Sequence, residues 1–181
     1  MAQQELRATI DDPDDVAERL IEEAGAREID VIEQRDTYFG LIDLYEDLGR
    51  FFLVRVREQD STMMINYKSE LEDGMWEEYE TIINDPEAAK KIFERMGLDR
   101  VLEVSKTRRS YRLDGMRFHI DSIEDLGHFI EVKLDPDQTS VEEAKEVLAS
   151  VGVEEQDMME NGYVTTLLRR KDSEYAEWCS T

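Results

Sequence analysis

Charged side chains recur at every second position of several strand-like stretches in this 181-residue chain. In FFLVRVRE, Arg55 and Arg57 share one face with Leu53, opposite Phe52, Val54 and Val56. MINYKSE puts Lys68 beside Asn66, EEYETII aligns Glu78 with Glu80, and VSKTRRSY aligns Lys106 with Arg108. FHIDS pairs His119 with Asp121, and GHFIEVKL pairs Glu131 with Lys133. QQELRATI shows the same alternation, with Gln3, Glu5 and Arg7 against Leu6, Ala8 and Ile10. Several of these cations converging in one cavity would be costly to bury unless a polyanion neutralised them. Guanidinium groups bind phosphate oxygens in bidentate fashion, and carboxylates on facing strands suit an oxygen-loving cation such as Mg2+. Together these describe a site for a triphosphate. No glycine-rich P-loop is present, so side chains would have to hold it.

The pattern alone leaves two readings open. An antiparallel sheet with one buried and one solvated face shows the same alternation. A sheet curled into a barrel, with charges inside and helices outside, shows it too. Two details favour the second reading. Cations and carboxylates are segregated onto different strands, and three amphipathic helices need an apolar surface to cover.

Those helices are marked by their ends. DDPDDVAERLIEEAGA has Asp12 before Pro13 and closes at Gly25, and NDPEAAKKIFERMGLD repeats the device with Asp85, Pro86 and Gly97. TSVEEAKEVLASVGV offers Ser140 and Glu143 as a capping box and closes at Gly152. Strands are expected over residues 2–10, 27–39, 50–59, 62–69, 76–84, 103–113, 116–123, 127–134 and 162–169. Hairpins are expected at REQDSTM, KSELEDGMW and RLDGMRF; the Asp-Gly of the last is the strongest turn signal. The tail, residues 171–181, follows the last expected strand.

Composition narrows the partners. A net charge of −23 repels a nucleic-acid duplex or an anionic membrane, and no apolar run has the length of a membrane span. Arginine outnumbers lysine about two to one, and so acidic a surface suits a cytoplasm of very high salt. A cytoplasmic location also agrees with the single cysteine, Cys179. His119, His128 and Cys179 do not make a zinc site of any usual spacing.

QQELR resembles a degenerate ExExK signature of the CYTH family, the triphosphate tunnel metalloenzymes. The likeness continues in order through QRDTYF, FLVRVRE, INYKSE, EEYETII, KTRRSY and HIDSIEDLGHFIEVKL. The family includes class IV adenylyl cyclases, thiamine triphosphatases and inorganic tripolyphosphatases. The resemblance implies an α+β fold: a single domain over residues 1–170 with an eight-stranded antiparallel barrel, or tunnel, and helices packed outside. It implies Arg7, Arg55, Arg57, Lys68, Lys106 and Arg108 as triphosphate ligands. Glu5, Glu78, Glu80, Asp121 and Glu131 would hold Mg2+ or Mn2+. Tyr38 and Lys68 match a pair proposed to assist hydrolysis, although a strand aromatic ordinarily packs. ATP, thiamine triphosphate and tripolyphosphate are the implied ligand classes, and a dimer is left open. Gln3 and Lys133 replace family glutamates and weaken the implied metal site. The alternative to an enzyme is a module that binds a triphosphate without turnover.

Overall fold

Two aspartate-proline pairs and one serine start three of the helices. Asp12 accepts the backbone N–H groups of Asp14 (2.9 Å) and Asp15 (3.1 Å), and Pro13 supplies a first helical residue whose missing N–H costs nothing there. Asp85 caps the backbone N–H of Ala88 in the same way, and Ser140 and Glu143 form the reciprocal capping box. A computed structural model describes residues 4–48, 51–70, 76–135 and 138–177.

The chain runs β1 (Gln4–Ile10), α1 (Pro13–Glu22), β2 (Arg27–Gly40), α2 (Ile42–Leu48), β3 (Phe52–Gln59), β4 (Thr62–Glu70) and β5 (Trp76–Ile83). It continues with α3 (Pro86–Arg95), β6 (Asp99–Leu113), β7 (Met116–Ile123), β8 (Gly127–Leu134), α4 (Val141–Ser150) and α5 (Tyr163–Arg170). The eight strands form one antiparallel sheet in the order β1-β8-β7-β6-β2-β3-β4-β5. This is the expected α+β class. The expected turn between β6 and β7 is present, with Asp114 and Gly115 both at positive φ (36° and 75°), as a tight hairpin of matching twist requires. Part of the KSELEDGMW turn, residues 71–75, lies outside the described residues, as does Gln3.

One expected strand is a helix. Residues 162–169, expected as a ninth strand, include the β-branched Val164, Thr165 and Thr166, yet Tyr163–Arg170 is α5. Buried Thr165 and Leu168, three residues apart, share one helical face, and Leu167 beside them in sequence is buried as well. Tertiary burial of that face overrides the local β preference. The short helix α2 was not anticipated; buried Tyr45 anchors it, with T-shaped contacts to Phe51 and Phe52.

The chain divides into two compact units, the division falling inside β2 and inside β6. Among the described residues, one comprises Gln34–Ser105 and 161–177. Its apolar face carries Phe39, Val56 and Ala89, with Val54, Ile65, Ile83 and Phe93 packed around them, so α3 covers this part of the sheet. Tyr175, in the tail, is buried here and donates to Asp99 Oδ2 at 2.7 Å. Among the described residues, the other unit comprises 4–33 and Lys106–Glu160. Here Val16, Ala17 and Leu20 of α1 and Ala144 and Leu148 of α4 pack on Ala8, Phe118, Ile120, Ile130 and Val132. These strand residues are the even-numbered apolar face that the alternation marks.

Much of the opposite face is buried as well. Asp36 is 0% exposed, Asp121 2%, Lys106 3%, and Arg57 and Arg108 8% each. A sheet with one wet face would leave such side chains in water, so that reading fails. No helix of the described residues is long and apolar enough to cross a membrane.

The apolar layer under α1 is expected to dominate the stability of its unit. Leu20 is fully buried, so Leu20→Ala should lower the unfolding free energy by about 2–5 kcal/mol, read from urea denaturation at fixed salt. A loss under about 1 kcal/mol would show that α1 is not part of the cooperative core.

Candidate functional site

In the unit containing β3 and β4, the site is built on one buried carboxylate. Asp36 lies directly across from Arg57 in the β2–β3 register, and Tyr38 across from Arg55. The Arg57 guanidinium grips Asp36 as a fork, Nε to Oδ1 at 2.7 Å and Nη2 to Oδ2 at 2.6 Å. Arg55 Nη1 approaches the same Oδ2 at 3.6 Å, and the Tyr38 hydroxyl donates to it at 3.2 Å. Two guanidinium groups thus meet one carboxylate. Arg55 Nε is buried and, among the described residues, donates to nothing. Burial pushes the Tyr38 phenol well above its ordinary range, with Tyr163 and Asp36 adding to it. Tyr38 is therefore a neutral donor at physiological pH, and its oxygen lies 3.4 Å from that of Tyr163.

The same unit holds a second group. Lys68 Nζ lies 3.7 Å from Glu78 Oε2, the two residues facing each other in the β4–β5 register. Buried Asn66 donates through Nδ2 to Glu78 Oε1 and, at 3.4 Å, to Glu80 Oε2. One amide thereby meets two of the three carboxylates of β5, Glu78 and Glu80, both of which are exposed to water.

In the unit containing β7 and β8, Asp121 occupies the equivalent role. Arg108 forks onto it, Nε to Oδ1 and Nη2 to Oδ2, both at 2.6 Å, and Lys106 Nζ reaches Oδ2 at 2.9 Å. Beside it, Glu5 and Glu131 share two cations. Arg7 donates through Nη2 to Glu5 Oε2 and through Nε to Glu131 Oε2 at 3.2 Å. Lys133 Nζ lies 3.3 Å from Glu5 Oε1 and 3.9 Å from Glu131 Oε1. Burial alone would raise the Glu131 carboxyl, but Arg108, Arg7, Lys133 and Lys106 hold it well below its usual range. Asp121 is likewise held low against its burial by Lys106 and Arg108. His119 is pushed down to about 3 by burial and by Arg108, so its ring is neutral; Nδ1 lies 3.1 Å from Ser110 Oγ. Four cations surround three carboxylates here.

The residues expected as ligands or catalytic groups thus fall into three clusters. Glu5, Arg7, Lys106, Arg108, Asp121 and Glu131 are brought together; so are Tyr38, Arg55 and Arg57; so are Lys68, Glu78 and Glu80. Sequence reasoning put Asn66 and His119 on the charged faces without giving them a role, and missed Asp36, Ser110 and Tyr163. Asp36 had a signal, since it shares strand parity with Tyr38 in QRDTYF. Tyr163 had none, because its contact spans 125 positions of sequence.

The donor set can be tested against a divalent cation. Among the described residues no three His, Cys, Asp or Glu side chains converge as a ready-made metal cluster. Glu5 and Glu131, however, are drawn to the same two cations, and both are hard oxygen donors. Mg2+ ordinarily takes one or two carboxylates and completes its shell with water and phosphate oxygens. The residues fit one such ion, with Lys133 as its competitor.

A sequence profile of the CYTH domain matches residues 1–163. This chain belongs to the CYTH family. A protein of Methanocaldococcus jannaschii, provisionally named an adenylate cyclase, is 27% identical over 173 residues, covering 91% of this chain and 97% of its own. A Pyrococcus horikoshii structure superposes with a TM-score of 0.74 at 28% identity, over 90% of this chain and 97% of that one. A Hippeastrum protein, provisionally named an adenylyl cyclase and found to have a dominant triphosphatase activity, gives a TM-score of 0.63 at 16% identity. That alignment covers 96% of this chain and 97% of the other, a likeness of fold.

Lys133 supplies the check on the carboxylate pair. Lys133→Met removes the ammonium group shared by Glu5 and Glu131, so Mn2+ affinity of the nucleotide-free protein should rise about three- to tenfold by titration calorimetry. An unchanged affinity would show that Lys133 does not compete for these carboxylates.

Proposed function

We propose that this protein is a metal-dependent enzyme acting on a nucleoside or organic triphosphate, as an adenylyl cyclase of the class IV type or as a triphosphatase. The observation that carries this reading is the buried excess of cations. Asp36 and Asp121 are each outnumbered two to one by guanidinium or ammonium groups, and Arg55 keeps a buried donor free. Leaving such groups without a counter-anion is costly, and a polyphosphate supplies one.

Arg55, Arg57, Lys106, Arg108, Arg7 and Lys68 are the phosphate ligands in this reading. Each aims a charge-assisted donor at oxygens whose negative charge grows in the transition state. The carboxylates hold these donors in place before the ligand arrives, which lowers the reorganisation needed during reaction. Glu5 and Glu131, with Asp121 alongside, would hold Mg2+ or Mn2+, and Glu78 and Glu80 are further candidates. The ion, when bound, would neutralise charge on bridging phosphate oxygens. Tyr38 keeps its proton and serves as a donor. Lys68, partly open to water, is the cation best placed to exchange Glu78 for a ligand.

Cyclisation has the 3′-hydroxyl attack the α-phosphorus and release pyrophosphate; hydrolysis has water attack the terminal phosphorus. Both need positioning and charge neutralisation, so the same residues serve either. The Methanocaldococcus relative's name supports the first and the Hippeastrum protein's activity the second. ATP, thiamine triphosphate and tripolyphosphate are the ligands to try, and a cytoplasmic protein would meet them. A second reading, triphosphate binding without turnover, is favoured by Lys133, which puts a fixed ammonium group where the carboxylates would hold a metal.

Incubation with each of these triphosphates, with Mg2+ or Mn2+ and KCl, is the test. Release of phosphate, pyrophosphate or cyclic nucleotide is expected. Lys68→Ala should weaken triphosphate affinity about ten- to a hundredfold, the worth of one hydrogen bond to a charged group. Saturable binding with no product in any mixture would establish the binding module instead.

A further inference from the structure

Three arginines outside the clusters described above line one cavity. Arg27 opens β2, Arg112 lies near the end of β6, and Arg117 lies near the start of β7; together with Ser110, Glu28 and Asp30 they border a space of about 410 Å³. The β6–β7 register sets Arg112 directly opposite Arg117. Like charges in directly opposed positions destabilise an antiparallel pair. Among the described residues, none of the three arginines has an ion-pair partner.

Carboxylates are not scarce in a chain of 45 acidic and 22 basic side chains. Arg109, between them in sequence, takes Asp14 at 2.7 Å, and Arg108 takes Asp121 at 2.6 Å. Glu28 and Asp30 border the same cavity without closing on any of its arginines. A single exposed, unpaired arginine is ordinary. Three in one concavity, two of them opposed across a ladder, leave a local surplus of cationic donors that the rest of this acidic unit has quenched elsewhere.

The cavity and the candidate site share strand β6. Residues 106, 108, 110 and 112 of β6 share a face, which places Arg112 about 13 Å from Arg108 along the strand. Between them, buried Ser110 lines the cavity while its hydroxyl meets His119 Nδ1 at 3.1 Å. We propose that Arg27, Arg112 and Arg117 form a second phosphate-binding subsite, which lets the protein engage a linear polyphosphate longer than a triphosphate. This rests on the reading of Lys106 and Arg108 as triphosphate ligands. The cavity's own arginines supply the donors: three planar guanidinium groups, each suited to a phosphate oxygen pair.

Calorimetry with inorganic tripolyphosphate, a longer linear polyphosphate and orthophosphate tests it. Arg112 and Arg117 are exposed and unpaired, so the Arg112→Ala/Arg117→Ala variant loses no stabilising ion pair. The parent should bind the longer chain at least about tenfold more tightly than tripolyphosphate, and the double variant should lose that advantage while holding tripolyphosphate within about twofold. Equal affinity of the parent for the two chain lengths would overturn the proposal, as would a variant that behaved like the parent or weakened both ligands alike. Failure of the parent to bind tripolyphosphate would overturn the proposed function instead. The subsite would then stand only if the parent bound orthophosphate and the double variant did not.

Discussion

A carboxylate removed from water stays ionised only if cations replace its hydration. Asp36 and Asp121 are both buried, and each is held by an arginine fork with a second cation at hand. Breaking either fork would strand a charge in a poorly solvated interior, a loss of about 3–5 kcal/mol. These two ion clusters therefore require the strand register that brings Arg57 opposite Asp36 and Arg108 opposite Asp121. A slip by one residue would turn every charge in the strand onto the apolar face.

The same register keeps the apolar side chains where the helices need them. Alternate residues of β1, β7 and β8 meet α1 and α4, while those between them carry Glu5, Arg7, His119, Asp121, Glu131 and Lys133. Covering one face fixes the other. The helices thus hold the ionic residues in position by packing on the opposite face, and the order of the cations exists before any ligand does. Preorganised donors of this kind are what phosphoryl chemistry asks of a protein.

Much of this was legible in the sequence because it depends on local rules. Alternation in FFLVRVRE and GHFIEVKL marks which residues share a face, and the Asp-Pro and Ser-x-x-Glu devices mark three helix starts. What alternation does not carry is partnership. Asp36 sits in a stretch where the eye goes to Tyr38, and its two arginines arrive from β3. Tyr163 reaches Tyr38 from α5, a stretch expected as a strand, where Val164 and the two threonines favour β structure locally. The choice was decided by burial of Leu167 and Leu168, a tertiary effect. Lys133 was visible as a departure from the family signature, but only the geometry shows its ammonium group beside both Glu5 and Glu131.

In the proposed function, side-chain cations more numerous than the carboxylates beside them bind a polyphosphate. A ligand that binds only the folded protein raises its stability by RT ln(1 + [L]/Kd). The most direct measurement is thermal unfolding of the metal-free protein, in a chelating buffer at constant ionic strength, across a titration of tripolyphosphate. The account predicts a Tm that climbs with ligand and keeps climbing logarithmically above Kd. A Tm indifferent to tripolyphosphate would contradict it.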